Sequence, residues 1–196
     1  NREIQDILFS LSLLDSDALS SGEPGVEINQ EKCAQCLTCI RVCPHGAIVM
    51  NDRNRPQIVA DACFSCHLCV SNCPAYAIES KTLANEHLAG LIRKDSVTIL
   101  ACERSAALAA GKITLPESVQ LISVPCACRI SPDMILSALI NGAKKVIISG
   151  CHQENCQSLE GSHTADEAVK KVLSIPGMDQ SRVLWKPVAA NEPEEF

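Results

Sequence analysis

Aromatic side chains are scarce, at 3% of the 196 residues, with one Trp, one Tyr and three Phe. Stacking on nucleobases therefore has little to work with. Positive charge is also short: 17 Lys and Arg stand against 23 Asp and Glu, a net charge of −6. That excludes a general nucleic-acid binder, which needs a basic surface to neutralise phosphates. No apolar run approaches the roughly 18 residues that cross a bilayer as a helix, and no secretion signal opens the chain. Neither G-x-G-x-x-G nor a P-loop occurs, so neither flavin nor nucleotide has a site by motif. The chain begins at Asn1 rather than Met, as a piece of a longer polypeptide would.

Cysteine is what the chain has in excess, with thirteen residues. An odd count, a chain of this length and tight C-x-x-C spacing argue against a secreted disulfide framework. Clustered cysteines without a secretion signal point to metal in a reducing cytoplasm.

Residues 1–25 carry Ile4, Ile7, Leu8, Leu11 and Leu14 at helical spacing, then break at "SSGEPG". This is a helical tail or linker, resting either on the body of the protein or on a partner. Residues 26–80 hold an internal repeat. "VEINQEKCAQCLTCIRVCPHGAIVM" is echoed by "QIVADACFSCHLCVSNCPAYAIES", with Cys33 matching Cys63 and Cys43 matching Cys73, a period of 30 residues. Short strands at Val26–Ile28, Ala47-Ile48, Ile58-Val59 and Ala77-Ile78 flank the two loops. Residues 81–94 read as a connecting helix, with His87 packed or half-exposed on its apolar stripe.

From residue 95 to 196 the pattern alternates. Strands are expected at 97–101, 119–124, 144–149 and 182–188. Helices are expected at 103–111, from the Ser131 cap and Pro132 to Gly142, and from a Thr164/Glu167 capping box to Pro176-Gly177. Such alternation marks a parallel sheet covered by helices. The fold class is thus an α+β ferredoxin-like domain followed by an α/β domain.

Eight cysteines explain themselves. Cys33, Cys36, Cys39 and Cys43-Pro44 read C-x₂-C-x₂-C-x₃-C-P, and Cys63, Cys66, Cys69 and Cys73-Pro74 repeat it. In this run three cysteines hold one cubane and the fourth ligates the other cluster. Cys33, Cys36, Cys39 and Cys73 are therefore expected to bind one [4Fe–4S] cluster, and Cys63, Cys66, Cys69 and Cys43 the second. Residues 26–80 resemble the bacterial-type two-cluster ferredoxin family. "CFSCH" (63–67) also matches the haem c attachment pattern. Haem would orphan Cys69, Cys73 and Cys43, so His67 is expected at the surface or behind the ligands.

Five cysteines remain. Cys102 follows the first strand of the alternating region, Cys126 and Cys128 the second, Cys151 the third, and Cys156 lies in the next loop. Loops at the carboxyl ends of parallel strands gather on one edge, where such folds place ligands. "CACRISPDMILSALINGAKKVIISGCHQENCQSLEGSH" resembles the delta subunit of methyl-viologen-reducing hydrogenase, over about residues 95–196. That family feeds electrons to heterodisulfide reductase and related flavin-based bifurcating complexes, and the resemblance implies a [2Fe–2S] cluster. Two departures stand out: Ser105 occupies a position where the family has a cysteine, and Cys126-Ala127-Cys128-Arg129 replaces Cys-Ser-Gly-Arg. The expected ligands are Cys102, Cys126, Cys151 and Cys156, with Cys128 as the alternative. A Cys₄ zinc site, a redox-active disulfide and a buried apolar filler use the same residues. His152 is expected behind the ligands. Arg104 and Arg129 either offset cluster charge or are solvated.

Three clusters without a substrate pocket describe a wire. The expected function is electron transfer within a larger oxidoreductase, between a partner hydrogenase or dehydrogenase and a flavin subunit of the heterodisulfide reductase A type. The alternatives are a thiol–disulfide redox domain fed by the ferredoxin part, and a zinc-stabilised docking module.

Overall fold

The computed structural model describes residues 23–196. The helical stripe from Ile4 to Leu14 lies outside the described residues.

The cysteine repeat folds as a repeat. Strand β1 (Val26–Ile28) and helix α1 (Thr38–Val42) are followed by β2 (Ile48–Met50). Strand β3 (Pro56–Ile58), helix α2 (Leu68–Ser71) and β4 (Ile78–Ser80) then restate the same order. The strands pair antiparallel, β1 with β4 and β2 with β3, with Val26 opposite Ser80 and Ile48 opposite Ile58. Left-handed backbone also recurs with the repeat, at Gln35 and Ser65, Leu37 and His67, Gly46 and Tyr76. Each non-glycine residue there costs on the order of 1 kcal/mol. The cost is borne where the loop must fold back tightly enough to turn several thiols towards one point. Val26, Ile48, Val70 and Ile78 form a small core around Cys39 and Cys69.

Helix α3 (Asn85–Leu91) leads into the second region. Leu83 and Leu88 drop into that region's core, so the connecting segment packs as part of it. Strands β5 (Val97–Cys102), β6 (Val119–Val124), β7 (Lys145–Gly150) and β8 (Val183–Pro187) form a parallel sheet in the order β6-β5-β7-β8. The chain steps from β5 outwards to β6, then crosses back over β5 to β7. Right-handed crossovers in opposite directions put their helices on opposite faces. Helix α4 (Ala106–Ala110) accordingly packs on Ile99 and Ala101. Helices α5 (Pro132–Ile140) and α6 (Gly161–Leu173) pack on Leu100, Ile122, Val146 and Ile148. The reversal between β5 and β7 opens a crevice at the carboxyl edge of the sheet.

The four expected strands are present to within one residue at each end. Helices depart more. α4 is shorter than 103–111, because the backbone at Ser105 is not helical. Helix α5 begins at Pro132 after Ser131 as expected, but the Ser131 side chain makes no cap hydrogen bond. The Thr164/Glu167 capping box does not form. Helix α6 starts three residues earlier, at Gly161, and the Thr164 N–H already donates to the Glu160 carbonyl.

The two regions meet over a short turn, Ala127–Arg129. Ser71 Oγ donates to the Cys128 carbonyl at 2.6 Å, and Arg104 donates to the Phe64 carbonyl at 2.7 Å. Gly150, the last residue of β7, lies under this turn. A Cβ there would stand 2.8 Å from Ala127 Cβ and 3.1 Å from the Trp185 ring. Gly150→Ala is therefore expected to destabilise the fold by about 1–3 kcal/mol, as overpacked cores do. A lowered denaturant midpoint at unchanged m-value checks it; an unchanged midpoint would show that the turn yields freely.

Candidate metal centres

Cys33, Cys36, Cys39 and Cys73 line one small cavity, together with Ile28 and Ile78. Cys43, Cys63, Cys66 and Cys69 line a second, together with Val26 and Phe64. Each group of four takes three thiols from one copy of the repeat and one from the other. The charged neighbours of Cys39 are Cys73, Cys33 and Cys36, and those of Cys69 are Cys63, Cys43 and Cys39. The Ala47 N–H points at Cys43 Sγ at 3.4 Å and the Ala77 N–H at Cys73 Sγ at 3.3 Å, again related by the repeat. N–H donors of this kind stabilise sulfur carrying negative charge.

The two cavities differ in wetness. Cys36 is exposed, and its thiol is eased below the ordinary range by the Thr38 hydroxyl. Cys66 and Cys69 are buried, and burial pushes the Cys69 thiol up to about 12. Neighbouring thiols add to that shift, since like charges at close range cannot all ionise without a cation among them.

The remaining cysteines gather at the carboxyl edge of the parallel sheet. Cys102 ends β5, Cys126 follows β6, Cys151 follows β7, and Cys156 follows the turn Gln153–Asn155. All four are buried. Their thiols neighbour one another in a closed ring: Cys102 influences Cys126 and Cys151, and Cys156 influences Cys126 and Cys151. Hydrogen bonds from Cys126 and Cys151 hold the Cys156 thiol well below its usual value. Cys151 is pushed up, by its bonds to Cys102 and Cys156 and by burial. Among the described residues no group of three or more His, Cys, Asp or Glu is placed to hold a single metal ion. A cluster makes a different demand, because its thiolates sit on separate irons.

Gly161 explains where α6 begins. A Cβ there would lie 2.6 Å from Cys126 Sγ and 2.9 Å from Cys156 Sγ. Only glycine lets the first turn of the helix close on the ring. Ser162 Oγ donates to the Cys151 carbonyl at 2.7 Å and lies against Cys156. Ser105 is also buried near Cys151, and its hydroxyl has no hydrogen-bond partner among the described residues. Gly161 falls within the stretch that carries the family resemblance, but local pattern gives no reason for it or for Ser162, since both act through contacts across the helix start.

Cys128 stands outside the ring. Its Sγ donates to the Cys66 carbonyl at 3.1 Å and contacts the Cys126 and Cys66 thiols. With Leu68 these three cysteines make one buried cluster. Of the two places expected for His67, at the surface or behind the ligands, the surface is ruled out: it is buried with its ring against Gly25, and burial, with Arg129 and Arg104 nearby, holds it at about 4. Arg129 is 1% exposed rather than solvated, and donates to the Leu83 carbonyl at 3.0 Å. Arg104 lies over the Phe64 ring, 4.6 Å from its centroid, and His45 stacks on that ring at 4.7 Å. His152 Nε2 lies 2.8 Å from Glu192 Oε2.

Comparison with known proteins agrees with this division. The 4Fe-4S dicluster domain family matches residues 26–80, and the family described as methyl-viologen-reducing hydrogenase, delta subunit, matches residues 97–196. The A-type component of the ferredoxin:CoB-CoM heterodisulfide reductase of Methanosarcina mazei is 28% identical over 202 residues, covering 95% of this chain and 25% of its own length. The iron-sulfur component of the F420-non-reducing hydrogenase of Archaeoglobus profundus is 35% identical over 100 residues, 48% of this chain and 73% of that protein. The PorD component of pyruvate synthase of Methanocaldococcus jannaschii is 37% identical over 51 residues, 26% of this chain and 59% of that protein. The chain thus spans about a quarter of the heterodisulfide reductase components it matches. Among the described residues no helix is long and apolar enough to cross a membrane. With its C-terminal half matched throughout and a 4Fe-4S domain ahead of it, the chain belongs to the family of the delta subunit of methyl-viologen-reducing hydrogenase.

Proposed function

We propose that this chain relays single electrons inside a larger oxidoreductase of the heterodisulfide reductase kind. Its partners would be a hydrogenase or dehydrogenase on one side and a flavin-containing protein like heterodisulfide reductase A on the other. Cys33, Cys36, Cys39 and Cys73 would hold one [4Fe–4S] cluster, Cys63, Cys66, Cys69 and Cys43 the second, and Cys102, Cys126, Cys151 and Cys156 a [2Fe–2S] cluster. A bound iron–sulfur cluster accepts and returns one electron with little change of shape. The observation that carries the reading is the unbroken run of sulfur: two cavities of four thiols side by side, then Cys128, then the ring.

The protein's own residues do the rest. Leu68, Val70 and Ile78 keep water from the buried thiols, and the Ala47 and Ala77 N–H groups face sulfur. Buried donors of this kind favour the more negative, reduced state of a centre. A thiol–disulfide enzyme would instead need at least one accessible, reactive thiol. The ring has none that is exposed.

Anaerobically prepared protein should carry about ten irons, eight from two cubanes and two from the ring. Cys156→Ala should lose the two belonging to the ring, with its EPR signal, and leave the cubanes in place. Zinc in place of iron, or a Cys156→Ala protein with undiminished iron, would end the reading of the ring as a cluster site.

The crossed sharing of ligands has its own test. Cys73→Ala should damage the cluster held by Cys33, Cys36 and Cys39 and spare the one held by Cys63, Cys66 and Cys69. Because the first site includes exposed Cys36 and the second does not, the surviving cubane should be the slower one to yield iron to a chelator. A survivor bleached as fast as the wild-type protein's first phase would mean that the 63–69 site was lost instead.

A further inference from the structure

The thirteenth cysteine has no place in any group of four, yet it is 0% exposed. It is not an idle apolar filler, because its sulfur makes a hydrogen bond. Cys128 Sγ donates to the Cys66 carbonyl at 3.1 Å, and it packs in one buried cluster with Cys66 and Cys126. Its position is held firmly. The short turn Ala127–Arg129 fixes its backbone, and Ser71 of α2 clasps its carbonyl at 2.6 Å. Cys66 belongs to the second cavity and Cys126 to the ring. Cys128 therefore packs against one cysteine of each.

We infer that Cys128 is a hydrogen-bond donor shared between the second [4Fe–4S] site and the C-terminal site, and that it couples the two. The inference rests on the ligand sets proposed above. The chemistry follows from the inventory of a thiol: one S–H hydrogen and a short rotor. With Cys66 and Cys126 bound to iron as thiolates, neither has a hydrogen to give, and both accept. Cys128 belongs to neither set of four, so no iron holds it as a thiolate, and its S–H already acts as a donor to the Cys66 carbonyl. That hydrogen turns to whichever neighbour carries more negative charge. An electron residing at the second site draws the S–H to Cys66; an electron at the ring draws it to Cys126. A single donor cannot serve both at once, so the second electron is harder to add than the first. Buried donors count for more than exposed ones, because the low dielectric strengthens the bond. The buried side-chain cluster that holds Cys128 contains Cys66 and Cys126 but none of Cys33, Cys36, Cys39 and Cys73, so the first site stands apart from this pair.

The test uses the whole chain, anaerobically loaded, in wild-type, Cys128→Ala and Cys128→Ser forms. Iron and sulfide are counted, and a potentiometric titration is followed by EPR. Iron content should be the same in all three. In Cys128→Ala two of the three reduction waves should move to lower potential, each by about threefold to tenfold in its one-electron equilibrium constant, tenfold being about 59 mV. The third wave should stay where it was. Cys128→Ser retains a donor and should recover most of the shift. Movement of only one wave, or of none, overturns the sharing. Loss of two irons from Cys128→Ala makes Cys128 a ligand and overturns it as well. A wild-type protein with only two waves and eight irons would instead defeat the underlying reading of the ring, a result distinct from the others.

Discussion

Sulfur repels sulfur once it is charged, and this chain buries most of its thiols in groups of four. No other constraint shapes so much of the structure. The tension appears as a split among the thiols: burial and neighbouring thiols push Cys69 up to about 12 and Cys151 is raised, while Cys36 and Cys156 are lowered. The fold supplies the positions and leaves the charge to be balanced by what binds. The remaining choices around the sulfurs, the left-handed residues between cysteines and the glycine at the start of α6, make room for negative charge.

Two fold principles deliver thiols to one place by different means. In the first region a short loop doubles back on itself, and a repeat lends each group its fourth member. In the second a parallel sheet gathers residues that are far apart in sequence, because its strand ends share an edge and its order reverses between β5 and β7. The first solution is local and borne by strained backbone. The second is distributed and borne by the hydrophobic core beneath it, Leu100, Ile122, Val146 and Ile148. Where the regions touch, sulfur again lies at the contact, with Cys66, Cys126 and Cys128 side by side.

Much of this was legible in the sequence, for identifiable reasons. The eight ferredoxin cysteines announce themselves because their spacing is short and the pattern occurs twice. Strands β5 to β8 are apolar runs bounded by breakers, and runs of that kind survive tertiary packing. The placement of Cys102, Cys126 and Cys151 on one edge follows from those strands alone. What could not be read depends on contacts across long separations. The bond from Cys128 to Cys66 joins residues 62 apart. Gly161 matters only because two thiols press on it, and that pressure draws the start of α6 ahead of the Thr164/Glu167 pair, which local rules favour. His67 and Arg129 look like surface residues by type, yet the meeting of the two regions covers them.

The pairing of β1 with β4 has a further consequence. Val26 lies opposite Ser80, so the chain enters and leaves the ferredoxin-like region side by side. A segment whose ends meet can be spliced into a surface loop of another protein with little disturbance to the host. Such a region behaves as a plug-in cassette, free to be carried from one redox chain to another without its interior being redesigned.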